Sequence, residues 1–194
     1  MRYDNSNREN KMGKDFSLRD ARESDREAIR TVTLAAFQEY AARMHAHWEG
    51  YRQGILNALA DPTSAERIVA EQDGAVVGAV MLYPPGTVFP RPDGSRVTIE
   101  HPEARLLAVA RAARGRGIGK ALLRECIRRA RRSGAAALTL HTSDFMEVGR
   151  RMYEGMGFVR APGLDFHPSK DLTVMGYRLP LGETSPSGPP PPVS

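Results

Sequence analysis

With 194 residues, the chain can bury about 70% of the surface its extended form exposes, enough for one full hydrophobic core. Its 28 lysines and arginines outweigh 23 aspartates and glutamates for a formal net charge of +5, a balance that attracts phosphates and other polyanions. A lone cysteine, Cys126, excludes an intrachain disulfide and a cysteine metal cluster; with neither a basic-then-apolar leader nor an apolar run of membrane length, a cytoplasmic protein without membrane partners is expected.

Residues 1–14 are polar and 182–194 are rich in proline, serine and glycine, so the folded domain is expected over 15–181 between two disordered ends. Residues 16–19 predict a short strand, and Ser24-x-x-Glu27 predicts a capping box that opens a helix with Ile29, Val32, Ala36 and Phe37 on one side. A second helix is expected over 44–59. Asp73-Gly74 is a hairpin turn joining strands at 67–72 and 75–83. The stretch 84–102, punctuated by proline and glycine, predicts a long loop or irregular hairpin. Residues 104–110 and 135–141 are mostly apolar without clean alternation, as for central strands covered on both faces, and a helix follows each. Residues 158–159 and 172–179 predict the last two strands. The pattern is that of a single α/β domain with a mixed sheet, and it contains no internal repeat.

The most informative stretch is Arg114-Gly115-Arg116-Gly117-Ile118-Gly119-Lys120, placed where a strand turns into an amphipathic helix. Glycines let backbone N–H groups approach an anion, and the unpaired N–H groups of a helix start add partial positive charge. A P-loop would follow its Gly-Lys with a hydroxyl residue, but Ala121 follows Lys120; a dinucleotide fold would read G-x-G-x-x-G, but the spacing is Gly115-x-Gly117-x-Gly119. What remains is a pyrophosphate-sized anion site served by backbone amides. The arginines farther along, Arg124, Arg128, Arg129, Arg131 and Arg132, read as a solvated helix face. No recognition-helix pattern or interleaved exposed aromatics accompany them, so no specific nucleic-acid partner is expected. His45-x-His47 diverges on a helix and lacks a third ligand, so no metal is expected.

Two motifs together carry a resemblance. Arg114-x-x-Gly117-x-Gly119 is similar to the Gln/Arg-x-x-Gly-x-Gly/Ala signature of the GCN5-related N-acetyltransferases (GNAT family). Met146-Glu147-Val148-Gly149-Arg150-Arg151-Met152-Tyr153-Glu154-Gly155-Met156-Gly157-Phe158 resembles the family's later helix, which ends in a tyrosine followed by Gly-Phe. The resemblance covers 16–181. It implies a three-layer sandwich with a mixed, splayed central sheet, and acetyl-CoA as cosubstrate in the wedge. The implied cofactor contacts are Leu107 and Val109 by backbone, then Arg114, Gly115, Arg116, Gly117, Gly119 and Lys120 at the pyrophosphate. It also implies an acid at Tyr153, to reprotonate the leaving thiolate, and a base at Glu103, which matches the acidic residue that opens the same strand in many members.

Glu100 rivals Glu103 as base, and His141 is a candidate proton relay. One departure is Met146, where many relatives carry Asn; Ser143 or Asp144 could supply the missing polar contact. The acceptor pocket is expected between the first two helices, the 84–102 loop and the 161–171 segment, with Phe37, Tyr40, His45, Trp48, Tyr83, Phe166 and His167 on its walls. The carboxylates of Glu39, Glu49, Glu100 and Asp165 would suit a cationic small-molecule amine. A protein N-terminus or lysine as acceptor, and a non-catalytic acyl-CoA sensor, are the alternatives, and a homodimer stays open.

Overall fold

The computed structural model describes residues 15–44, 47–61, 65–91, 94–169 and 172–182. His45, the 1–14 segment and the tail from 183 onward lie outside the described residues. The strands are β1 (Ser17–Asp20), β2 (Glu66–Gln72), β3 (Ala75–Tyr83), β4 (Val88–Pro90), β5 (Arg96–Thr98), β6 (Glu103–Val109), β7 (Ala137–Ser143), β8 (Val159–Arg160), β9 (Phe166–Ser169) and β10 (Leu172–Pro180). The helices are α1 (Arg26–Gln38), α2 (Ala41–Met44), α3 (Trp48–Ala60), α4 (Ile118–Arg132) and α5 (Glu147–Glu154).

The main sheet runs β1-β2-β3-β6-β7-β10-β8, with β9 also paired to β10, and β4-β5 form a separate hairpin. Every neighbouring pair is antiparallel except β6 and β7, so the sheet is mixed. Helix α4 places Ile118, Leu122, Cys126 and Ala130 on one buried stripe against Ile68, Val80 and Leu138. Helical spacing gathers these side chains on one face, and each large one contributes about 1.5–3 kcal/mol by leaving water. The opposite face of the sheet packs Val69, Ala79 and Met81 against Ile29 and Phe37 of α1 and Ile55 and Leu59 of α3. Helices on both faces of one sheet give the expected three-layer α/β sandwich. Cys126 belongs to the core, and burial pushes its thiol up to about 12.

Local chemistry explains most of these elements. Asp73 and Gly74 sit at φ 51° and 78°, the double positive φ that matches a two-residue turn to the twist of its strands. The predicted capping box at Ser24 does not form. The chain instead enters α1 through a 3-10 turn, Glu23–Asp25, where the Asp25 carboxylate accepts the Arg22 N–H at 2.6 Å and pairs with Arg19 at 2.6 Å. A better acceptor one residue on displaces the serine. The second helix begins at Trp48, later than expected, and the 84–102 stretch forms the β4-β5 hairpin. Strand β9 arises inside the 161–171 segment, for which no strand was predicted.

Candidate active site

Strand β6 carries the irregularity on which the site is built. Ala79 stands opposite Ala108 and Met81 opposite Arg105, so Val80 alone faces Leu106 and Leu107. This is a β-bulge, and it holds Leu106 at φ 52°. On its other side β6 pairs with β7 only at Glu103–Thr139 and Ala104–Leu140, beyond which the two strands part. The Ala110 N–H bonds back to Val77 of β3. Strand alternation therefore turns the backbone groups of Leu107 and Val109 away from β3 and into the gap.

The gap leads to the glycine cradle. Gly115 and Gly117 both adopt φ 80°, and no atom stands where a Cβ would be. The first intrahelical bond of α4 runs from Ala121 N to Gly117 O. It leaves the amides of Ile118, Gly119 and Lys120 without helical partners. Gly119 packs against Met152, where a Cβ would meet the sulfur at 3.4 Å. A strand edge that β7 leaves unpaired, followed by open amides at a helix start, fits an extended chain ending in a pyrophosphate, so the residues present suit acetyl-CoA. Gly115, Gly117, Gly119, Lys120, Arg114, Leu107 and Val109 all line this cleft, whereas exposed Arg116 is not among its lining residues. Arg114 is tied down: its Nε donates to the Val109 carbonyl at 3.1 Å and Nη1 to Glu39 at 2.8 Å.

Glu103 and Tyr153 face the same cleft. Only 2% of Glu103 is exposed, and one of its carboxylate oxygens lies 3.3 Å from His141 Nδ1 and 3.5 Å from Arg105 Nε. His141 Nε2 donates to the Leu164 carbonyl at 2.9 Å. Tyr153 is half-buried, its ring lying over Gly149 and tilted against Phe158, and no hydrogen bond ties its hydroxyl among the described residues. Burial, and then the nearby Tyr40 and Tyr51 hydroxyls, push its pKa well above the ordinary phenol value. The hydroxyl therefore stays protonated and able to donate a hydrogen bond to a developing anion in the cleft.

Met146 begins α5 with its N–H bonded to the Ser143 carbonyl, and its side chain packs into the α1–α3 core. Asp144 is engaged by the Phe145 N–H at 2.8 Å. Ser143 lines the cleft beside Thr142, whose buried hydroxyl has no hydrogen-bond partner among the described residues. A hydroxyl ending an apolar strand was the signal for it.

The acceptor side is aromatic as expected, but its charge is not. Phe37, Tyr40, Tyr83, Phe166 and Glu100 line the cleft, joined by Tyr51 and Phe89; Trp48 and His167 are not among the lining residues. Three of the four carboxylates expected to attract a cation are held by arginines, Glu39 by Arg114, Glu49 by Arg52 and Asp165 by Arg160, each at 2.8 Å, which leaves Glu100. Glu103 faces Arg105, a cleft residue that the sequence reading did not single out. Among the described residues no group of three or more His, Cys, Asp or Glu could hold a metal, and no helix is long and apolar enough to cross a membrane.

Residues 22–158 match the model of the acetyltransferase (GNAT) family. No curated protein matches the chain by sequence. Among solved structures it is similar to a GNAT family acetyltransferase from Brucella melitensis in complex with acetyl-CoA, at 27% identity and TM-score 0.56, over 90% of this chain and 93% of that one. It is similar also to the ribosomal-protein-alanine N-acetyltransferase of Brucella melitensis, at 25% identity and TM-score 0.56, over 84% of this chain and 99% of that one. The ribosomal-protein-S18-alanine N-acetyltransferase of Escherichia coli shares the fold, with TM-score 0.62 at 17% identity, over 89% of this chain and 97% of that one. The splayed sheet and its cradle thus coincide with a family match over most of the chain, which belongs to the acetyltransferase (GNAT) family and is an acetyl-CoA-dependent transferase.

Proposed function

We propose that the protein is an N-acetyltransferase that acetylates a primary amine of a small molecule by direct attack within a ternary complex. The observation that carries this reading is a single cleft of about 1830 Å³ in which the glycine cradle, Glu103, Tyr153 and the aromatic acceptor wall all meet. Both substrates can then be held at once, with no need for a covalent acyl-enzyme. Bound acetyl-CoA supplies the acetyl group as an activated thioester, with Leu107, Val109 and the 114–120 cradle as its holding residues.

The chain's own groups supply the rest. Glu103 takes the ammonium proton through water, its charge steadied by Arg105 and His141. Tyr153 keeps a proton on its oxygen for a departing thiolate, as its raised pKa requires. The β4-β5 hairpin sets Phe89 edge-on against Tyr83, 4.9 Å between ring centres, and so walls the acceptor side with aromatic rings. Such a wall suits a small acceptor, whereas two of the relatives are named for the alanine of a ribosomal protein. Thiol release with acetyl-CoA and a panel of amines tests the reading. Turnover on small amines is expected, and turnover only on N-terminal peptides would overturn it.

A further inference from the structure

Arg105 stands on the acceptor wall in a way that neutralising Glu103 does not explain. Its guanidinium carbon lies 4.2 Å from the ring centre of Phe89 and 5.8 Å from that of Tyr83, so two aromatic rings fix its orientation. It meets Glu103 only edge-on, through Nε at 3.5 Å. Arginine commonly grips a carboxylate with two parallel N–H bonds at shorter range. The two terminal nitrogens of Arg105 make no hydrogen bond among the described residues, and about a third of its side chain, 35%, is open to the cleft. A planar pair of donors, held rigid by stacking and left unfilled beside the base, is a receptor for a planar oxyanion.

We propose that Arg105 receives the carboxylate of the acceptor, so that the enzyme acetylates free amino acids. This rests on the proposed small-molecule N-acetyltransferase function and names its substrate class. In an α-amino acid the amine and the carboxylate share one carbon. A carboxylate on the terminal nitrogens of Arg105 therefore sets the amine near the Nε edge, where Glu103 lies. The ammonium then faces Glu103 and the carboxylate faces Arg105, and both charges of the zwitterion are met. The walls beyond, Tyr51, Tyr83 and Phe89, leave an aromatic surface for the side chain. A polyamine offers nothing to Arg105 and would bring a cation against it.

The test uses the full-length enzyme with acetyl-CoA and matched acceptors that differ only at the carboxylate: free amino acids, their carboxamides and the corresponding decarboxylated amines, with an alanine-initiated peptide as the protein-like arm. For the wild type, kcat/KM is expected to be roughly ten- to a hundredfold higher on the best free acid than on its carboxamide or amine, the range of a charge-assisted bond pair. Arg105→Gln is expected to remove that preference, lowering kcat/KM on the acid roughly tenfold or more beyond whatever it loses on the decarboxylated amine. Arg105→Lys, which keeps the charge and the stem, should retain part of it. Turnover of small amines with no preference for the acid overturns the assignment of Arg105 and leaves the small-amine function standing. An equal loss on acid and amine in Arg105→Gln also overturns it, because Arg105 would then act through Glu103. Acetylation of the peptide alone, or of nothing, overturns the proposed function and this inference with it.

Discussion

His141 lies between two acceptors, the Glu103 carboxylate 3.3 Å from Nδ1 and the Leu164 carbonyl 2.9 Å from Nε2. A neutral ring that donates to Leu164 turns a lone pair on Nδ1 toward a carboxylate oxygen, and two acceptors repel unless a proton lies between them. The imidazole and carboxylate therefore act as one unit on the wall of the cleft.

The first prediction follows from that unit. Glu103→Gln and His141→Gln should each lower kcat, by roughly a hundredfold and tenfold, and the double variant should lose little more than Glu103→Gln alone. The Glu103→Gln loss should be largest at low pH, where free amine is scarce, and should shrink toward pH 10. Kinetics from about pH 6 to 10 on the best amine check this. A constant ratio of wild type to variant would reassign Glu103 to structure.

Tyr153→Phe should lower kcat by roughly a hundredfold while leaving acetyl-CoA affinity nearly unchanged, because the hydroxyl has no partner until a thiolate forms. The sign of its shift adds a second expectation. A phenol whose pKa is raised by burial stays protonated through alkaline pH, so no alkaline fall in rate from loss of this acid should appear up to about pH 10. Titration calorimetry beside steady-state kinetics separates the two effects.

At the cradle, Gly117→Glu should abolish acetyl-CoA binding, whereas Arg131→Glu, on the exposed end of α4, should leave it within about threefold. The change at φ 80° also adds roughly 1–3 kcal/mol of backbone strain. Melting curves of both variants are therefore needed, and equal binding losses in equally folded proteins would move the pyrophosphate elsewhere.

The fourth prediction concerns acid stability. The Arg19 guanidinium, and then the Arg22 N–H, hold the Asp25 carboxyl down to about 2 from an ordinary 3.8. A depressed carboxylate stabilises the fold above its unfolded value, and that contribution is lost as pH falls from 3.8 toward 2. Asp25→Asn should cost about 1–3 kcal/mol at neutral pH, and the gap between variant and wild type should close in that acid window. Urea unfolding at neutral pH and near pH 2 measures both.

The particular residues that were legible in the sequence, and those that were not, divide on physical lines. Asp73-Gly74 and the Gly115 and Gly117 turns were readable because positive φ demands glycine or a short polar residue and little else. The stripe of Ile118, Leu122 and Cys126 was readable because helical periodicity survives any tertiary context. The bulge at Leu106 was not, since a leucine carries no sign that its neighbours will hold it in a left-handed conformation. That bulge interrupts strand alternation beside Arg105, whose place on the acceptor wall was therefore hidden. The charge of the acceptor side failed for a related reason. Glu39 and Arg114 are 75 residues apart and meet only in three dimensions, so a count of local carboxylates missed their cancellation. Ser24 failed because two acceptors competed for the same turn and Asp25, also gripped by Arg19, had the stronger claim.

The short pairing of β6 with β7 has a mechanical consequence. Two facing residue pairs are the seam between β1-β2-β3-β6 and β7-β10-β8, and each half is broadly hydrogen-bonded within itself. Such a seam is a compliant joint, and a ligand lying along the stretch of Leu107 and Val109 that β7 leaves unpaired acts as the missing stitch. Amide exchange at those two positions thus becomes a gauge of how firmly the halves are sewn. It should slow on acetyl-CoA binding more than anywhere in the β1–β3 hairpin region, coupling occupancy of the cleft to the stiffness of the whole sheet.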